Sequence, residues 1–492
     1  MMQTSNNSYH KPEAAGHANA PEPERSFRDR IKATTTKRWI RFGLVSLVYF
    51  LWVIWMGNPW LAIFWLLLVD IYITAYIPWT WWKKKPGLTR TVMAWVDAII
   101  YALVLVYFIF AFIGQNYKIP SSSLEKSLLV GDYLWVNKTI YGPRVPQTPI
   151  HFPLAQHTLP FINTKSYLDN PQLDYHRLPG IRSIRRGDIV VFNYPQGDTV
   201  ALKIQNPDYY QICYDLQRNG IENPKEYIER NKETFGDIVW RPVDRRENYV
   251  KRAIGLPGEV IEIKDDMVYI DGKAIAEPEN VQFNYIIPVG STIPDEKWSS
   301  IGVRMDDHGG APSFSEIAEI YYYNVPLTKE MKAEVEKWPE VNGRLLREGE
   351  SGLYDLGGMF PLGAGYGWTR PNMGPFWIPK RGATLHLTLE NLPIYERAIK
   401  VYEGNDLAVK DGKIYINGEQ TDYYTFKMDY YWMMGDNRDR SADSRYWGFV
   451  PEDHVVGSPM FIIASFDEEK SLFDGKIRWN RVLRDANPDK KW

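Results

Sequence analysis

Apolar residues occur along this chain in two patterns. Over 42–56, 60–79 and 92–113 they run almost without interruption. Beyond about residue 115 they form short alternating runs bounded by Gly, Pro, Asn and Asp, as in GDIVVFNYP (187–195) and GEVIEIKDDMVYIDGK (258–273). Apolar runs of about 20 residues match a bilayer-crossing helix, whereas period-two alternation marks half-buried strands. The first pattern predicts a membrane anchor over 41–114 with about three transmembrane helices, the first two joined at Gly57-Asn58-Pro59. The second predicts a mainly β region over 115–492.

Within the β region, VIEIKDDMVYIDGK (260–273) and LAVKDGKIYINGEQ (407–420) share a strand, tight turn, strand pattern ending in Asp-Gly or Asn-Gly, which predicts two similar hairpins. Between them, about 275–400 is rich in Pro, Gly, Tyr and Trp, and KEMKAEVEKW (329–338) predicts a surface helix. This stretch and about 196–247 are expected to be inserts in a smaller core, the larger one a β-rich subdomain. Residues 1–40 are polar and without apolar periodicity, which predicts a disordered tail.

Charge gives the anchor an orientation. Basic clusters at 25–41 and 83–90 fall on one side if the first two apolar segments form a hairpin, and the positive-inside rule places that side in the cytoplasm. Everything after Gly114 is then outside. Asp70 lies inside the second apolar stretch, where a carboxylate is costly, and is expected to make a helix-to-helix contact or to be protonated. Over all 492 residues the net charge is −2, without the basic excess that recruits nucleic acid. Cys213 is the single cysteine, which excludes an internal disulfide and sites built on paired thiolates and reads as packing. The 19 Trp and 32 Tyr suit both a membrane boundary and a large aromatic core.

The chain has no HExxH, GxSxG, GxxxxGK[ST] or GxGxxG string opening a helix, which counts against metalloprotease, α/β-hydrolase and nucleotide chemistry. Three polar-rich segments stand out: KIPSSSLEKSLLVGDYLWVNK (118–138), NYVKRAIGLPGEVIEI (248–263) and MMGDNRDRSADSRYWGFVPEDHVVG (433–457). With the preceding anchor and the RGDIVVF strand, they resemble, in order, the motifs of the bacterial type I signal peptidases. The resemblance covers about a fifth of the chain.

It implies a mainly β signal-peptidase-like catalytic domain behind the transmembrane helices. Aligning the family's PSxSM motif on Pro120 makes Ser123 the nucleophile and Ser121 a hydroxyl that helps hold the oxyanion. The KRAxGLPGD-like motif makes Lys251 the general base, with Arg252 beside it and Glu259 in place of the usual Asp. In the third motif Ser441 matches the hydroxyl that orients the lysine, while Gly435, Asp436, Asn437, Asp443 and Arg445 match supporting positions. Leu124 and Lys126 stand where the family has Met and Pro.

The chemistry of such a pair is coherent. A serine hydroxyl attacks a peptide carbonyl only if its proton is taken, and a neutral lysine can take it. A free lysine titrates near ~10.4, so the base must be depressed by roughly 2–3 units, and burial among Tyr249, Val250, Ala253 and Ile254 is the expected cause. The implied function is removal of signal peptides from exported preproteins after Ala-x-Ala, at the outer face of a bacterial cytoplasmic membrane. Expected partners are those preproteins, the export machinery and the lipid bilayer; no cofactor or metal is implied.

Other readings remain open at this stage. Ser123 and Lys126 spell SxxK, the nucleophile motif of penicillin-binding proteins, but KTG is absent and the SxN at Ser5 lies in the tail. His454 invites a Ser/His reading. A membrane-anchored binding protein that has lost activity is the alternative outside enzymes, with Lys126 as its distinguishing substitution.

Overall fold

The computed structural model describes residues 26–162, 164–316, 318–348 and 358–487. Two compact units, Met1–Ile100 and Tyr101–Trp492, are distinguished by their internal contacts. Residues 1–25 of the expected tail lie outside the described residues. Two helices occupy most of the rest: Phe27–Lys32 is capped by Ser26, whose hydroxyl accepts from Asp29 N, and Thr36–Met56 starts inside that stretch because nothing interrupts the helix between 36 and 41.

Among the described residues two helices, Thr36–Met56 and Gly87–Ile113, are long and apolar enough to cross a membrane, with mean hydropathies of 1.7 and 2.5. The expected middle span is instead a shorter helical segment, Pro59–Thr74. Asp70 explains where it stops. Its carboxylate accepts from Thr74 Oγ1 at 2.6 Å, Tyr76 N at 2.7 Å, Ile77 N at 3.2 Å and Trp79 Nε1 at 2.8 Å, tying a turn to the helix end. The carboxylate therefore serves a local turn, not the helix-to-helix contact the sequence suggested.

The second unit is mainly β. Its central sheet contains β1 (Gly114–Lys118), β2 (Asp132–Asn137), β3 (Ile189–Asn193), β4 (Asn248–Gly255), β5 (Tyr430–Met434), β6 (Val450–Pro451) and β7 (Val455–Ser465). All neighbours are antiparallel, in the order β1-β2-β7-β3-β4-β5-β6. The last strand enters between β2 and β3, so distant parts of the chain share one sheet. β1 is left as an edge. Leu124, Leu128, Leu134, Ile189, Val191 and Ile462 pack beneath the segment that follows β1.

Both expected hairpins are present. Val260–Lys264 pairs with Met267–Ile270, and Leu407–Lys410 pairs with Lys413–Ile416. Their two-residue turns, Asp265-Asp266 and Asp411-Gly412, have positive φ at both positions, the twist that suits a tight hairpin. Between the hairpins, Gln282–Val289 pairs with Ile320–Thr328, which also pairs with Ser313–Ser315. This sheet has its own core around Trp298, Tyr323, Val335 and Trp338, and the expected surface helix lies beside it at Lys329–Val335.

Candidate active site

Ser123 sits on a single turn of 3-10 helix, Ser122–Leu124, after the edge strand β1. Leu124 and Leu128 point into the core and hold the turn from below. Two groups of the third motif hold it from above. Asn437 N donates to Ser123 O at 3.1 Å, and Asn437 Nδ2 donates to Ser122 O at 3.2 Å. The main chain around the serine is thus clamped, leaving the side chain free to meet β4.

Lys251 lies in the middle of β4, where successive side chains leave on opposite faces. Its Nζ donates to Ser123 Oγ at 2.8 Å, and both residues are buried, at 4% and 5% exposure. Burial pushes the lysine down to about 8, opposed by the Asp443 and Asp436 carboxylates and assisted by Arg445. A buried amine with a pKa near neutrality, in contact with a buried hydroxyl, has the properties of a base and its nucleophile.

Arg252, the next residue, turns to the other face. It forms a two-pronged pair with Asp436 at 2.8 and 2.6 Å, and the Ser127 hydroxyl donates to the same carboxylate at 2.7 Å. Asp443 makes an equivalent pair with Arg445, at 2.9 and 2.8 Å, and accepts Gly435 N at 3.1 Å. Each arginine holds its partner's carboxyl below the ordinary carboxylate range against the opposing effect of burial. Two buried ion pairs therefore fix the loop that carries Asn437 and Ser441 beside the serine turn.

Gly435 occupies a position where a side chain has no room. A Cβ there would come within 2.6 Å of Ser123 O and closer still to Ser441 Oγ. Ser441 is buried, and its hydroxyl bonds to Ala442 O at 3.5 Å, without a hydrogen bond to Lys251. Ser121 is exposed and extended, and its side chain does not cap the turn. Glu259 bonds Arg186 at 2.6 Å and Leu256 N at 2.8 Å, closing the turn after β4.

Lys126, the lysine of the SxxK string, donates to Gly302 O and not to Ser123. His454 is buried against Asp453 at 2.6 Å and Arg246 at 2.8 Å, and burial pushes it down to about 4. Among the described residues no group of His, Cys, Asp and Glu is placed to hold a metal ion. The sequence reading passed over Ser127, which joins Arg252 to Asp436, and Glu125, buried at 2% exposure with Oε2 lacking a hydrogen bond. Their proximity to Ser123 in the first motif was the available signal.

Comparison with known proteins points to one family. A family model described as signal peptidase, peptidase S26, matches residues 92–286 and 419–464. Signal peptidase I of Buchnera aphidicola from Acyrthosiphon pisum is 24% identical over 381 residues, covering 77% of this chain and 76% of that protein. Signal peptidase I of Haemophilus influenzae is 21% identical over 390 residues, covering 79% and 74%. Signal peptidase I T of Bacillus subtilis is 26% identical over 196 residues, covering 40% and 55%. The chain belongs to the signal peptidase, peptidase S26, family, as a bacterial type I signal peptidase, a serine endopeptidase acting on preproteins that carry signal peptides.

Proposed function

We propose that Ser123 is the nucleophile and Lys251 the general base of a Ser/Lys dyad that cleaves preproteins after Ala-x-Ala. The supporting observation is the 2.8 Å contact between Lys251 Nζ and Ser123 Oγ, made by a buried lysine held down to about 8. Neutral Lys251 accepts the hydroxyl proton as Ser123 Oγ attacks the scissile carbonyl carbon. The Ser123 N–H, with the Ser121 hydroxyl rotated inward, holds the developing oxyanion. The ammonium then protonates the departing amine, and a water activated by the same lysine hydrolyses the acyl ester. Arg252, Asp436, Asn437, Asp443 and Arg445 support these groups without touching the reacting atoms, and the Ser441 hydroxyl turns to orient Lys251 during the cycle. The free edge of β1 suits an extended substrate, which would pair its backbone there and present alternate side chains to the protein.

The hairpin of Thr36–Met56 and Pro59–Thr74, whose arms are joined by Trp65 Nε1 to Ser46 Oγ at 2.9 Å and Thr34 Oγ1 to Ile73 O at 3.0 Å, would return the chain to the cytoplasmic side of the bacterial cytoplasmic membrane, so that Gly87–Ile113 would carry 115–492 to the outer side where export machinery delivers preproteins. The segments at about 196–247 and 275–400 are read as inserts in the peptidase core. For the second, the family model leaves 287–418 unmatched and the Trp298 cluster is a core of its own.

The test is cleavage of an Ala-x-Ala preprotein by the detergent-solubilised chain. Ser123→Ala and Lys251→Ala should each reduce cleavage by about a thousandfold or more, while Lys126→Ala retains it. A requirement for Lys126 with a dispensable Lys251 would revive the SxxK chemistry. A parent chain inactive on every preprotein tried would favour a binding protein.

A further inference from the structure

Away from the dyad, the second unit contains a cavity of about 310 Å³ next to the last turn of the long apolar helix, with Phe110 and Ala111 in its wall. That volume falls at the lower end of the range for small-ligand sites. Four basic residues line it: Lys118, which pairs with Glu468 at 2.6 Å, and Lys138, Arg144 and Arg245. Asp244 is the one carboxylate in the wall, and it pairs with Arg245 at 3.4 Å while accepting from Thr148 N and Oγ1 at 3.0 Å.

Lys138 and Arg144 bond only to neutral acceptors. Lys138 Nζ donates to Phe110 O at 2.5 Å and Gln115 Oε1 at 3.3 Å. Arg144 donates to Asn193 Oδ1 at 2.5 Å and to the Asp453 carbonyl. Burial, with repulsion from Arg144 and Arg245, pushes Lys138 down to about 7, and burial beside Arg177 pushes Arg144 down to about 10. His151, also in the wall, is pushed down to about 4 and adds no negative charge. Clustered cations without matching carboxylates are costly in a partly dry cavity unless an anion enters it. Asp244 Oδ1, buried and without a hydrogen bond, is an acceptor available to a hydroxyl or ammonium attached to that anion.

We propose that this cavity binds the phosphate of a phospholipid headgroup, held by Lys138 and Arg144 where the apolar helix ends. The lipid as source rests on the membrane-anchored reading above; phosphate recognition rests on the cavity alone. Such a lipid would pin the peptidase domain to the bilayer surface beside its own anchor, using the basic-pocket chemistry by which membrane proteins hold headgroups.

The experiment uses the full chain, purified in a phosphate-free maltoside detergent, with binding read by native mass spectrometry and by the shift in Tm. The probes are dihexanoyl phosphatidylglycerol, the dihexanoyl glycerol lacking the phosphate, and inorganic phosphate. The phospholipid should bind and raise Tm, the phosphate-free diacylglycerol should do neither, and inorganic phosphate should bind more weakly. Lys138→Gln should weaken phospholipid binding by about tenfold, as loss of a charged contact does, and Lys138→Arg should restore it. Equal binding of the two glycerolipids overturns the proposal, whether or not the variants fold, as does unchanged affinity in a folded Lys138→Gln chain. Inorganic phosphate binding as tightly as the phospholipid overturns the lipid assignment. Cleavage of a soluble Ala-x-Ala peptide by the same samples separates failure of this site from failure of the dyad.

Discussion

Glu125 shows how one buried carboxyl can bear on the chemistry beside it. It is two positions beyond Ser123, almost fully buried, and burial pushes it up to about 7, partly offset by Lys126. A folded-state pKa above the unfolded one favours folding at low pH, and this contribution is lost as pH rises from about 4.5 through about 7. At pH 8 the ionised carboxylate opposes folding by up to ~3 kcal/mol, at about 1.4 kcal/mol per pH unit. Glu125→Gln should therefore raise Tm relative to the parent at pH 8 and leave it nearly unchanged at pH 5. An equal shift at both values would mean that the carboxyl stays ionised throughout.

Among the elements that build the site, β4 and the loop after β5 are decisive, because they bring groups about 190 positions apart in the chain to the serine turn. Gly435 is where the loop and that turn come closest. Gly435→Ala should cost about 1–3 kcal/mol of stability through overpacking and displace Ser123, with a loss of cleavage larger than the stability loss alone implies. Thermal unfolding and cleavage measured on one preparation check this; an alanine variant that matches the parent in both would show that the loop has room to move. Part of this arrangement was legible in the sequence: the short apolar run in GDIVVFNYP marked β3, and the family resemblance of the motifs paired Ser123 with Lys251. Ser127 was not, because one serine among several does not reveal that it bridges an arginine and an aspartate 309 positions away from it. The middle apolar stretch read as a span because its composition is right, while the turn tied to Asp70 depends on backbone geometry that composition does not carry.

Over the second unit as a whole, the sheet built on Gln282–Val289 and Ile320–Thr328 is tied directly to the loop after β5. Arg440 donates to Asp307 at 2.8 Å and to Asn324 O at 3.2 Å, Asn284 N donates to Asp439 at 2.8 Å, and Lys126 reaches Gly302 O. This sheet thus steadies the loop that clamps Ser123. Arg440→Ala should speed amide hydrogen exchange over 320–328 and 435–441 while the central strands β3 and β7 keep their protection. Unchanged exchange in both segments would mean that the ties carry no mechanical coupling. None of these ties was legible in the sequence, since each joins segments whose proximity follows only from the completed sheet. The cationic cavity escaped notice for the same reason: Arg144 and Arg245 come from stretches that carry no motif, and Lys138 is the last residue of the first one.

The most direct test of the central claim is the pH dependence of kcat/KM on a soluble Ala-x-Ala peptide from pH 6 to 10. It is measured in the parent and in Glu125→Gln, which removes a second group titrating nearby. On the proposed dyad, in which Lys251, pushed down to about 8 by burial, reacts in its neutral form, kcat/KM should rise about tenfold per pH unit below that value and level off above it in both proteins. A profile already level at pH 6, or one whose rise disappears with Glu125, would contradict Lys251 as the base.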